Sequence, residues 1–192
     1  MARSMKQVLF FGDSLTAGYG LGSPQTQSLP ALLSERAISD GNAFHFINAG
    51  ISGDTTASAL IRLPKLLQLP SDIIVVALGA NDMLRGYPAD TLATNLENVI
   101  QLIKKAHPQS GILLLGMELP KWITAKEADA YRNIYANLAK HQQLSFLPFL
   151  LEGVIGDMRL NLPDRVHPNA KGYQLIAHRV WPLLKKLLDT VA

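Results

Sequence analysis

The 192-residue chain predicts an α/β fold of three layers, with a central parallel sheet of five strands between two layers of helices. Three observations carry this. Short apolar runs recur at 7–11, 44–48, 73–78, 112–117 and 144–147, several of them rich in Val, Ile or Phe. Runs of that length suit strands covered on both faces. Between them lie longer stretches whose apolar residues return every three or four positions, the period of a helix with one buried face. The two kinds of segment alternate, which is the order of a parallel sheet whose crossovers are helices.

The helical stretches follow the strands in turn. Segment 28–39 carries Leu29, Leu32, Leu33 and Ala37. Segment 55–67 carries Leu60, Leu63, Leu66 and Leu67, with Pro64 expected to mark a break. Segment 89–106 has the cleanest stripe, in Leu92, Leu96, Val99 and Ile103. Segment 125–140 reads as one helix on Ala128, Tyr131, Tyr135 and Leu138. A last helix is expected over 169–188, kinked at Trp181-Pro182. The strand order 2-1-3-4-5, that of flavodoxin-like sheets, is expected by analogy with other doubly wound folds. With no repeat, low-complexity segment or linker visible, 1–192 reads as a single domain.

Composition narrows the classes of function. Apolar residues make up 48% of the chain, enough for a full core. Cysteine is absent, so disulfides, a thiolate nucleophile and a thiolate metal site are excluded. No His-x-x-x-His pair or carboxylate cluster indicates a metal, and no cofactor is implied. The net charge of +3 is small and scattered, too weak to argue for nucleic acid. A mild cluster at Arg179, Lys185 and Lys186 would slightly favour an anionic lipid surface. No apolar run approaches the ~20 residues of a membrane span. Only five residues separate Lys6 from Gly12, too few for the core of a signal peptide. The chain as it stands is therefore expected in the cytoplasm. It would be periplasmic or secreted if a leader was removed and residues 1–4 are a scar.

In an open α/β sheet, ligands bind beyond the carboxyl ends of the strands. Four polar segments fall there: Gly12-Asp13-Ser14-Leu15, Asn48-Ala49-Gly50-Ile51-Ser52-Gly53-Asp54, Gly79-Ala80-Asn81-Asp82 and, near the C-terminus, Asp164-Arg165-Val166-His167. Each has an ordinary explanation when taken singly. Ser14 or Asn81 can cap a turn, Gly53 can allow one, and His167 before Pro168 can be a surface residue. All four blocks in this order resemble the SGNH or GDSL hydrolases, whose pattern is Gly-Asp-Ser-Leu, then Gly, then Gly-x-Asn-Asp, then Asp-x-x-His. The resemblance runs from about Val8 to the end of the chain. It is nearest to the bacterial branch of thioesterase I, lysophospholipase and arylesterase, through residues 48–55, Leu84-Arg85-Gly86 and residues 147–154. Three departures stand out: Ala80 where many members have Gly, Met83 where Gly often follows Asn-Asp, and Arg165-Val166 where Gly-Ile is common. The first two bear on the mobility or width of the loop beside the acyl site.

The resemblance implies a catalytic set. A serine hydroxyl is a poor nucleophile until a base removes its proton. His167 would do this for Ser14, with Asp164 holding the other ring nitrogen. The oxyanion would be met by the backbone N–H of Ser14, the backbone N–H of Gly53 and the amide of Asn81. Glycine suits such a place because it has no Cβ, and an amide donates without carrying charge. Activity should rise as His167 loses its proton, around the ~6.5 of an ordinary histidine. Asp13, Asp54 and Asp82 read as supports of the local backbone. His45, His107, His141 and His178 read as ordinary surface or core residues.

Competing motifs fail. Gly-x-Ser-x-Gly and the P-loop are absent, and Gly18-x-Gly20-x-Gly22 lacks the third glycine of a dinucleotide fingerprint. That segment reads as a loop after Ser14. The implied substrates are small acyl esters and thioesters, including aryl and short alkyl esters, acyl-CoA and lysophospholipids. Apolar loop residues either cover the core or line an acyl groove: Met83, Leu84 and Tyr87; Leu119, Pro120, Trp122 and Ile123; Val154, Ile155, Leu160 and Leu162. Trp122 and Ile123 are the expected wall of the groove. Two alternatives stand beside this. A binding module without turnover is opposed by the intact Ser14, Asn81, Asp164 and His167. A carbohydrate acetyl esterase would want an aromatic-lined polar cleft, and aromatics are 7% of the chain.

Overall fold

The computed structural model describes residues 5–118 and 125–191, and side chains within the second span from residue 128. The strands are β1 (Lys6–Gly12), β2 (Phe44–Gly50), β3 (Ile73–Ala77), β4 (Gly111–Leu115) and β5 (Ser145–Leu147). They pair in parallel, as the alternation of segments predicts, and in the order β2-β1-β3-β4-β5 that analogy with doubly wound folds predicts. All five residues of β3 are buried, as in a strand covered on both sides.

The helices are α1 (Ser14–Ala17), α2 (Pro24–Gln27), α3 (Leu29–Ser39), α4 (Thr56–Leu66), α5 (Ala80–Leu84), α6 (Ala89–Ala106), α7 (Ala125–Tyr131), α8 (Ile134–Gln142) and α9 (Ala170–Val191). Helix α3 packs with α9, while α6 packs with both α4 and α8. In α6 the stripe Leu92, Leu96, Val99, Ile100 and Ile103 is fully buried. Each such side chain contributes roughly 1.5–3 kcal/mol. Among the described residues, no helix is long and apolar enough to cross a membrane.

Two local expectations are corrected, and the last helix is longer than expected. Pro64 does not break α4, which ends two residues later at Leu66. A proline's φ fits a helix, and near the C-terminus the missing N–H costs a single bond. The segment expected as one helix at 125–140 is two, α7 and α8, parted at Asn133 with φ 69°. Asparagine is among the few residues that visit the left-handed region readily. Helix α9 runs continuously through Pro182 and reaches Val191.

The fold brings strand ends to one edge. Gly12 at the end of β1 is in register with Gly50 of β2 and Ala77 of β3, so all three chains leave the sheet level with one another. Helix α1 sits directly on the end of β2. A Cβ on Gly50 would lie 2.3 Å from the Ala17 amide nitrogen, so only glycine permits this approach. Asn48 locks the same contact by donating to the Thr16 carbonyl at 3.0 Å. From α9, the buried Tyr173 donates to the Leu15 carbonyl at 2.9 Å. The turn at residue 14 is thus held from β2 through Asn48 and from α9 through Tyr173.

Candidate active site

Ser14 is the first residue of α1, where the chain turns off β1. The Asp13 carboxylate caps that turn, accepting the Leu15 N–H at 2.9 Å. Ser14 is largely buried, with its Oγ 2.9 Å from Nε2 of His167, 153 residues away in sequence. His167 lies on the loop before α9. Its Nδ1 is 2.7 Å from Oδ2 of Asp164, and the other carboxylate oxygen accepts the N–H groups of Val166 and His167, both at 2.9 Å. Partial burial pushes the Asp164 carboxyl up, but the two backbone donors and the His167 ring outweigh it and hold the group below the usual range. An ionised Asp164 favours the tautomer with the proton on Nδ1. Nε2 is then free to accept from Ser14. Arg165 holds this turn with φ 60°, a conformation glycine adopts at no cost.

The second part of the edge is built on buried polar groups. Asn81 stands in the first turn of α5. Its Nδ2 donates to the Asp54 carbonyl at 3.0 Å and lies 3.4 Å from Oδ2 of Asp13. Asp54 follows Gly53, whose φ is 83°. Arg62 of α4 reaches over this loop. Its Nε donates to the Asp54 carboxylate at 2.7 Å, its Nη1 to the Ala49 carbonyl and its Nη2 to the Gly12 carbonyl, both at 2.9 Å. One side chain therefore ties the ends of β1 and β2 to the loop that carries Gly53. Arg85 adds a bond from its Nη2 to the Gly53 carbonyl at 2.9 Å. Asp82 accepts the Thr56 N–H at 2.9 Å and the Thr56 hydroxyl at 2.6 Å. Burial pushes the Asp13 carboxyl up to about 7, against the pull of the Leu15 N–H and with the nearby Asp54 and Asp82 adding to the rise. Among the described residues, no group of three or more His, Cys, Asp or Glu side chains is arranged to hold a metal.

A narrow cleft of about 60 Å³ opens beside these groups. Ser14, Asn81 and His167 face it, and Met83, Leu84, Met117, Leu151 and Ile155 supply apolar lining. The structure thus brings together Ser14, Asn81, Asp164, His167, Met83 and Leu84, with Gly53 bonded into the same edge. Trp122 and Ile123, expected as the wall, lie outside the described residues, as do Leu119 and Pro120. Val154 belongs to the core instead, and Leu160 packs against it partly buried. Sequence reasoning missed Met117 and Glu118, which also line the cleft. They lie just past the end of β4 at Leu115, but the apolar run extends to Met117 and hid the strand end, so the strand-end rule could have found only Glu118. It also missed Arg62, which a helical pattern presents as one more solvated charge.

The chain is similar to known proteins over most of its length. The model of the GDSL-like lipase/acylhydrolase family matches residues 10–175. An arylesterase of Vibrio mimicus is 37% identical over 97% of this chain and 92% of its own length. Thioesterase 1/protease 1/lysophospholipase L1 of Escherichia coli strain K12 is 33% identical over 98% and 88%. The crystal structure of TesA superimposes with a TM-score of 0.89 at 35% identity, covering 95% of this chain and 99% of that one.

Proposed function

Because this chain belongs to the GDSL-like lipase/acylhydrolase family and is a serine ester hydrolase, we propose that Ser14 is its nucleophile, His167 its general base and Asp164 the group that orients the base. The observation carrying this reading is the continuous chain of hydrogen bonds from Ser14 Oγ through both ring nitrogens of His167 to Asp164. As Ser14 Oγ bonds to the substrate carbonyl carbon, its proton passes to Nε2 and the carbonyl oxygen takes the negative charge. The backbone N–H groups of Ser14 and Gly53 and the Asn81 amide are the donors for that oxyanion. Each is worth ~10²–10³ in kcat in comparable sites. Collapse expels the alcohol or thiol, which leaves with the proton from His167. A water molecule then repeats the sequence on the acyl-enzyme, with His167 again as base.

The substrate proposed is a carboxylic ester or thioester with a short acyl group. Relatives are named arylesterase and thioesterase 1/protease 1/lysophospholipase L1. The apolar lining of Met83, Leu84, Met117, Leu151 and Ile155 suits hydrocarbon rather than sugar. The cleft of about 60 Å³ is far below the ~300–1,000 Å³ of sites that engulf a drug-sized ligand. It receives only the first carbons of a chain, and the longer tail of a lysophospholipid would leave it.

Labelling with a fluorophosphonate, with the adduct mapped by mass spectrometry, tests the nucleophile. The label is expected on Ser14, and Ser14→Ala is expected to fold normally without turnover. An adduct elsewhere, or turnover by Ser14→Ala, overturns the assignment. A series of p-nitrophenyl esters from acetate to dodecanoate tests the cleft. The expected kcat/KM is highest for short acyl groups, and a maximum at dodecanoate would overturn that part.

A further inference from the structure

Tyr19 is half exposed, and it rests on the imidazole of His167, the ring centroids 4.8 Å apart and the planes tilted by 49°. Hydrophobic burial does not explain its position, because half of its surface stays in water. The loop that carries it is built to hold it there. Helix α1 ends at Gly18, and the Tyr19 N–H returns to the Ser14 carbonyl at 3.1 Å. Gly20 follows with φ 74°, and a Cβ there would lie 2.3 Å from Cδ1 of Leu162. The backbone at Gly20 therefore lies flush on Leu162. Leu162 in turn donates its N–H to the His167 carbonyl at 2.8 Å, and its own carbonyl accepts the Arg165 N–H at 2.9 Å. The loop leaving Ser14 and the turn presenting Asp164 and His167 are thus joined through Leu162, with Tyr19 set against the base.

Resting on the assignment of His167 as general base, we propose that Tyr19 is a positioning residue. Its ring keeps the imidazole aimed at Ser14 and stabilises the imidazolium that forms each time His167 takes a proton. The electron-rich face of an aromatic ring attracts a cation within about 6 Å of its centroid. The imidazole lies within that distance, its centroid 4.8 Å from that of Tyr19, and carries a positive charge each time it holds the proton from Ser14. The other groups around it are already committed. Asp164 holds Nδ1 and the Ser14 hydroxyl holds Nε2. Glu118 and Asn81 line the cleft that His167 faces, Asp13 lies behind Ser14, and Arg165 sits two residues before the base. Tyr19 packs on the imidazole as a tilted ring contact, and both ring nitrogens keep their hydrogen bonds to Ser14 and Asp164.

The test compares the wild type with Tyr19→Phe, Tyr19→Leu and a variant with pentafluorophenylalanine at position 19. The fluorinated ring keeps its shape but reverses its quadrupole. Profiles of kcat/KM for p-nitrophenyl butyrate are measured from pH 5 to 9. In Tyr19→Leu the plateau is expected to fall about 2- to 5-fold and the acid limb to move down by roughly 0.4–0.7 pH. The loss is expected in kcat, with KM within about twofold. Tyr19→Phe should match the wild type, and the fluorinated ring should behave as Leu. An unmoved acid limb in Tyr19→Leu, or a fluorinated variant equal to Tyr19→Phe, overturns the proposal. The fluorinated variant preserves packing, so it decides the matter even if Tyr19→Leu fails to fold. Ser14→Ala runs alongside. If it is inactive while the Tyr19 profiles are unchanged, only the role of Tyr19 fails; if it turns over substrate, the underlying assignment fails first.

Discussion

Replacing Asp13 by asparagine is expected to stabilise the protein at neutral pH and to remove a pH dependence that the wild type shows. Asp13 is fully buried, and burial raises its carboxyl from 3.8 to about 7. At ~1.4 kcal/mol for each tenfold step in proton affinity, the ionised form is disfavoured in the folded protein by about 4 kcal/mol. The sign follows from linkage. Between about 4 and 7 the folded state holds a proton here that the unfolded state has released, so stability falls as pH rises through that window. The side chain introduced by Asp13→Asn carries no such charge. Its carbonyl oxygen can still accept the Leu15 N–H, but its amide cannot accept from Asn81, at a cost of about 1 kcal/mol. The difference between variant and wild type should therefore run from about −1 kcal/mol at pH 4 to about +3 kcal/mol at pH 8. Urea unfolding at intervals of half a pH measures it. Other titrating groups, Asp164 included, are common to both proteins, so the difference profile isolates Asp13. Two stability curves running parallel from pH 4 to 8 would refute the reasoning.

Variants at two further positions probe the supports. Arg62→Ala strips the counter-ion from the buried Asp54 and the donors from the Ala49 and Gly12 carbonyls. Losing one member of a buried pair costs about 3–5 kcal/mol, and kcat should drop with it as the loop at Gly53 loosens. A loss below ~1 kcal/mol in urea unfolding would show that this arginine is dispensable. At Arg165, whose φ is 60°, Val should cost about 1–2 kcal/mol while Gly costs nothing. Equal melting temperatures for the two variants would remove the strain from that turn.

How much of this was legible in the sequence depends on the kind of signal each part carries. Buried parallel strands are apolar on both faces, so β1, β3 and β4 stood out as runs, while the edge strands β2 and β5, only partly buried, still showed as apolar segments; the stripe of α6 is long enough to show its period. Helices α1 and α5 span four and five residues, little more than a turn, and no period can be read in so short a segment. The break at Asn133 was hidden because Tyr131 and Tyr135 keep helical spacing straight across it. The chemistry-bearing residues were legible as four blocks in order. Their supports were not, because a support is defined by its partners. Arg62 follows Ile61, which is 84% exposed, and precedes the fully buried Leu63, so hydropathy assigns it to the surface. Its three acceptors lie 8, 13 and 50 residues away.

The cleft marks where such reading ends for a different reason. Met83 is 5% exposed and Leu84 is 52% exposed, yet both line it. For an apolar loop residue, core and groove are alternatives on sequence alone, but Met83 is both at once. Its side chain belongs to the buried cluster and also forms the floor on which an acyl group would lie. A wall that is also core cannot be reshaped freely, because enlarging the cleft at Met83 removes packing from the protein. Leu84 has no such tie and is the residue through which chain-length preference can change at little cost in stability.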